Sequence, residues 1–147
     1  MLKLRKNKKG FTLVELIVVI AIMAVLAGTV AGVTVSQLNK SKNDTAASEI
    51  KNLFNDFETF LADYDVSKIT TADTDTVVND FNEEKKAAKG LTDNILTKKE
   101  GNNTPKAGTG KYVYTATFAD GKLTLTIECA KVGSTGADPT GTRTYEI

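Results

Sequence analysis

The hydrophobic and polar positions divide the chain into stretches of different rhythm. Residues 16–35 carry no charge, and Val, Ile, Ala and Leu dominate them up to Leu26. At about 1.5 Å per residue such a run makes a helix of about 30 Å, the thickness of a bilayer's hydrocarbon core. After Val35 the pattern turns amphipathic. Ala46, Ile50, Leu53, Phe54, Phe57, Phe60, Leu61 and Tyr64 recur at spacings of three and four, which predicts a continuing helix with one apolar face. Lys42, Asn43, Glu49, Asn52, Asp56 and Asp63 fall mostly off that face. Unbroken from Phe11 to about Ala62, the helix would reach about 78 Å.

Residues 65–110 are polar and less regular. Asp73-Thr74-Asp75 before Val77, Val78 and Phe81 predicts an N-cap and a short helix to about Lys89, ended by Gly90. A further short turn or helix is expected over residues 91–99. Gly101-Asn102-Asn103-Thr104-Pro105 and Gly108-Thr109-Gly110 punctuate loops. From residue 111 the period changes to two. Tyr112, Tyr114, Ala116 and Phe118 alternate with Val113, Thr115 and Thr117, and Leu123, Leu125, Ile127 and Cys129 alternate with Thr124, Thr126 and Glu128. Asp120-Gly121 between them is a two-residue hairpin signal. A Gly-, Ser-, Thr- and Pro-rich loop follows, and residues 143–147 predict a third strand. The expected architecture is α+β: a long N-terminal helix whose amphipathic half covers one face of a small antiparallel sheet.

Charge sharpens this division. Lys3, Arg5, Lys6, Lys8 and Lys9 precede the apolar run with no acid among them. They read as the cytoplasmic flank of a span, and a generic secretory signal accounts for them equally well. An ordinary signal peptide, however, has a shorter apolar region and a small-residue cleavage site after it. Leu26-Ala27-Gly28-Thr29 is close to a lipoprotein box, but Thr29 stands where the lipid-bearing cysteine would be. Nineteen bases less the five before Gly10 leave fourteen against eighteen acids. Such a mildly acidic product is a poor general binder of nucleic acid or anionic membrane.

Candidate catalytic chemistry is sparse. The chain has no histidine, which removes Ser-His-Asp and Cys-His nucleophile systems and most zinc sites. Asp73, Asp75 and Asp80 do not keep calcium-loop spacing, since Val77 and Val78 stand at ligand and glycine positions. No phosphate-cradling glycine loop follows a strand. No catalytic residue, cofactor site or metal site is assigned. Cys129 is the only cysteine, so an internal disulfide is impossible, and its place on the Leu123, Leu125, Ile127 side of a strand predicts a buried small hydrophobe.

One feature of the N-terminal pattern remains: a carboxylate, Glu15, at the border of the uncharged run, with a lone glycine, Gly10, before it. Gly10-Phe11-Thr12-Leu13-Val14-Glu15, preceded by a basic leader and followed by a long apolar helix, resembles the processing site of type IV pilins and pseudopilins. The resemblance covers the first third of the chain. It implies a pilin fold and cleavage by a prepilin peptidase between Gly10 and Phe11. It also implies N-methylation of Phe11 and a role for Glu15 in filament assembly. The segments expected are a removed leader, 1–10; an apolar transmembrane and filament-core helix, 11–35; and a globular head, 36–147. The head comprises an amphipathic helix to about 64, a connecting region over 65–110 and a sheet over 111–147.

Gly28 and Gly32 lie one helical turn apart. They read either as a GxxxG packing face or, by resemblance, as the place where a pilin helix melts locally in the filament. Implied partners are copies of the same chain in a helical filament, the prepilin peptidase, an assembly ATPase with its membrane platform, and the membrane before assembly. The precursor is expected in the cytoplasmic membrane and the product on the cell surface. The absence of a disulfide pair favours a Gram-positive source. The leading expectation is a structural subunit, a major pilin. The alternatives are a pseudopilin of a type II secretion or DNA-uptake machine and a membrane-anchored secreted binding protein.

Overall fold

In a computed structural model, residues 10–65, 69, 74–133 and 137–147 are described. Helix α1 runs over Leu13–Asp63 without interruption. The chain divides into two units, Met1–Gln37 and Leu38–Ile147. The basic leader residues Lys3, Arg5, Lys6, Lys8 and Lys9, and Asp73 of the expected N-cap, lie outside the described residues.

In the first unit α1 is apolar all round and has no cover. Its large hydrophobic residues, from Leu13 to Val35, are about half exposed or more, as at Val19 (49 %) and Leu13 (73 %). The segment is long and apolar enough to cross a membrane by length and composition. The hydroxyl of Thr29 donates to Leu26 O (3.0 Å) and that of Thr34 to Val30 O (2.8 Å). Both polar side chains are thus satisfied within the helix, as an apolar solvent requires.

The second unit holds the core. Ala46, Ile50, Leu53, Phe54, Phe57 and Leu61 of α1 are buried, with Phe60 and Tyr64 packed at the edge. Helix α2, Thr74–Lys89, adds Val77, Val78 and Phe81. Phe81 meets Phe57 edge-on at 5.1 Å and Phe60 at 5.6 Å between ring centroids, the geometry aromatic quadrupoles favour. Gly90 ends α2 at φ 64°, and Leu91 N donates back to Lys86 O (3.1 Å), the six-to-one bond of a Schellman cap.

Four strands form one sheet in sequence order: β1 Leu96–Lys98, β2 Tyr112–Ala119, β3 Lys122–Glu128 and β4 Thr140–Glu146. Strands β2, β3 and β4 pair antiparallel. Asp120 and Gly121 close the β2–β3 hairpin with φ of 53° and 71°, the positive values that a two-residue loop needs. Leu123, Leu125, Ile127 and Cys129 are completely buried against the helices. On the opposite face, Thr124 bonds Thr144 (3.0 Å) and Thr126 bonds Thr142 (2.9 Å), cross-strand pairs that suit a solvated sheet surface.

Two expectations are corrected. Residues 91–99 contain no helix; they supply β1, which pairs parallel to β2, so the sheet is mixed and not purely antiparallel. The cause is distant in sequence. Asn82 is completely buried on α2; its amide nitrogen donates to Leu96 O (2.8 Å), and its amide oxygen accepts from Leu96 N (3.0 Å). Strand β4 also begins at Thr140, ahead of the expected residue 143. Gly141 permits this close approach to α1: a Cβ there would lie 2.6 Å from Phe54 Cε2 and 3.1 Å from Ile50 Cγ2.

Asn82→Ala should orphan both buried backbone groups of Leu96, at about 1–3 kcal/mol each. We expect a lower unfolding midpoint and selective loss of amide protection at Leu96–Lys98, read by hydrogen exchange; unchanged protection would show that β1 does not rest on this amide.

Alkaline pH should destabilise the head. Burial pushes the Cys129 thiol up to about 11 and the Tyr145 phenol up to about 12. Tyr112 and Tyr114 are raised further still, by burial first and then by Glu49 and Asp75 respectively. The native state keeps these groups neutral, while the unfolded chain ionises them near 9.0 for the thiol and 10.0 for the phenols. Above pH 9 the unfolded chain therefore binds fewer protons, and stability falls as pH rises. Urea midpoints measured from neutrality upward should be flat and then drop.

Candidate processing and assembly segment

The elements around Gly10 are set by one helix start. Gly10, Phe11 and Thr12 precede α1 and are exposed. Among the described residues nothing lies within 4 Å of a Cβ built on Gly10, and Phe11 is 89 % exposed.

Thr12 is the N-cap. Its hydroxyl accepts from Glu15 N (3.3 Å). In return, Glu15 Oε2 accepts from Thr12 N (2.8 Å) and from the Thr12 hydroxyl (2.7 Å). This is a capping box, which satisfies orphan donors at a helix N-terminus reciprocally. The carboxylate also stands at the positive end of the helix dipole. Thr12 is a residue that sequence reasoning missed. Its signal was present, since Thr12-Leu13-Val14-Glu15 before an apolar run has the capping-box spacing.

The structure thus brings Glu15 to within one residue of the bond at Gly10 and Phe11, through Thr12. Gly28 and Gly32 lie farther along α1, inside an unbroken helix, and a Cβ on either would meet nothing within 4 Å. In the head, Asp75 pairs with Lys98 and accepts from the Tyr114 hydroxyl (3.2 Å). Asp80 accepts from the Tyr64 hydroxyl (2.8 Å). Both carboxylates have protein partners.

An exposed apolar helix, continued into a helix packed on a small sheet, fits a precursor anchored by its N-terminal helix. The prokaryotic N-terminal methylation motif matches residues 5–31, the prepilin and type IV pilin signature. The match covers the N-terminal segment alone; it supports a type IV pilin-like precursor and points to a structural subunit. Comparison with curated proteins and with solved structures gave no match.

Thr12→Val should remove the hydroxyl from the cap and destabilise the first turn by about 1 kcal/mol. Amide exchange at residues 13–15 should accelerate severalfold in the valine variant and not in Thr12→Ser. Equal rates in the two variants would show that the box does not hold the helix start.

Proposed function

We propose that this chain is the major subunit of a type IV pilus. The observation that carries the reading is the coincidence of the methylation motif with α1's uncovered surface over residues 13–35. Apolar surface of that extent belongs in lipid or against other helices. In this reading the precursor waits in the membrane with its leader inside and its head outside. A prepilin peptidase cuts between Gly10 and Phe11, and Phe11 is N-methylated. An assembly ATPase and its membrane platform then move subunits out of the membrane. Their apolar helices pack side by side in a heterologous, non-closing array, which propagates as a fibre. Gly28 and Gly32 serve that packing or loosen the helix there.

Glu15 acts in assembly. A carboxylate among packed apolar helices is expensive unless partnered. Both bonds from Thr12 fall on Oε2, so Oε1 is the atom that meets an ammonium group. The new Phe11 amine is such a group, with an ordinary pKa of about 7.7–8.0. Supplied by a neighbouring subunit, it would set the axial register of the fibre.

A pseudopilin shares the motif, the processing and the helix packing. Surface filaments on cells that express the protein separate the two: their absence favours the pseudopilin.

Two variants test the roles. Gly10→Val should leave a membrane-bound precursor that retains its leader, whereas Glu15→Ala should be inserted and cut yet build few or no filaments. The mass of the mature N-terminus checks the first arm, with methyl-phenylalanine at 11 expected in the parent protein. Normal filament numbers from Glu15→Ala as the sole copy would remove Glu15 from assembly.

A further inference from the structure

Two loops of the head are fastened onto the first helical turns of α1 in the second unit, residues 39–43. Asn43 Nδ2 donates to Val132 O (3.1 Å), and Val132 N donates to Asn43 Oδ1 (2.9 Å). The next residue of that loop, Gly133, lies against Asn39: a Cβ there would meet Asn39 Nδ2 at 3.1 Å. The second loop packs on the Lys42 stem, which a Cβ on Gly108 would meet at 3.3 Å. Backbone bonds tie the two loops together: Ala107 N donates to Ala130 O and Ala130 N to Pro105 O, both at 2.7 Å.

This fastening gathers lysines that are far apart in sequence. Lys40 and Lys42 are exposed on α1, Lys106 is exposed on one loop, and Lys131 is half-buried on the other. Among the described residues, Asp44 on α1 lies beside them in the chain and Asp138 beside them in space; Asp138 Oδ1 accepts from Lys131 N (3.1 Å). Lys40 and Lys42 follow Val35, the last residue of the uncharged run, by five and seven positions. Residues 39–43 stay that close to the run along the chain whatever direction the head takes, and the loops fastened to them stay with them.

We propose that this lysine collar, a local basic patch on a head that is acidic overall, docks the precursor's head on the anionic phospholipid headgroups of the bilayer that holds the apolar helix. The inference rests on the reading of that helix as a membrane span with the head outside. Lysines next to a span are placed where headgroup phosphates lie, and each one held at an anionic surface favours docking by about fivefold. They do not reverse the orientation, because the five leader bases outnumber them on the other flank. Docking ends when the subunit leaves the bilayer, so the collar holds the head at the membrane only before assembly.

The test uses the full-length precursor reconstituted in two kinds of vesicle, phosphatidylcholine alone or equal parts of phosphatidylcholine and phosphatidylglycerol. Hydrogen exchange is read by mass spectrometry at residues 16–35, 104–111 and 130–133. Residues 16–35 should be protected in both vesicles. The two loops should exchange at least fivefold more slowly in the phosphatidylglycerol vesicles. High salt should abolish that difference, as should Lys40→Gln with Lys106→Gln, a pair that leaves the Lys42–Gly108 contact intact. Loop exchange that is equal in the two vesicles, with residues 16–35 still protected, would overturn the collar alone. Free exchange at residues 16–35 would overturn the membrane reading and the collar with it. Inorganic phosphate added to phosphatidylcholine vesicles should not slow the loops. If it does, the collar binds the free anion and the lipid assignment is wrong.

Discussion

A helix surrounded by apolar side chains cannot rest in water, and α1 carries such a surface from Leu13 to Val35. Hydrophobic burial is non-directional and grows with area, so the surface demands lipid or other helices without specifying which. The rest of the chain depends on that demand. The same helix must also pack on the sheet of the second unit, and a polar start must be tolerated at its border. One secondary-structure element thus presents two kinds of surface. The change from an all-round apolar surface to a stripe, after residue 35, is what lets it do so.

The helix start shows how a charge is made tolerable at such a border. Glu15 is ionisable and stands just before an uncharged run, a position that is costly for an isolated carboxylate. The capping box with Thr12 supplies two donors from within the same turn. The acid is therefore held by its own helix.

In the head, side-chain amides take the place of covalent staples. Cys129 is buried with its thiol neutral, and it packs as a small hydrophobe among Leu125, Ile127 and the helices. The C-terminal loop is instead held by Asn43, and the parallel edge strand by Asn82. Each asparagine reproduces, with one side chain, the donor and acceptor that a neighbouring strand would offer. Such bonds are worth little net when made and much when broken inside a core. They fix the placement of loops more than they add to stability.

Local rules made α1, α2, the Asp120-Gly121 hairpin and the inward faces of β2 and β3 legible in the sequence. Periodicities of 3.6 and 2, caps and turn residues act over a few positions and leave their pattern in the residues themselves. The N-terminal methylation motif was legible for the same reason, although the Thr12–Glu15 box inside it was read only as a glutamate spacing. What the tertiary structure alone decided lies at long separations. Strand β1 is three residues long, too short to show a period, and it exists because Asn82 and β2 offer it partners. The early start of β4 depends on the space that Gly141 leaves for Phe54, and the lysine collar depends on loops brought to α1 by Asn43 and Lys42. A residue's neighbours across the core are set by packing, and packing is not written in local spacing.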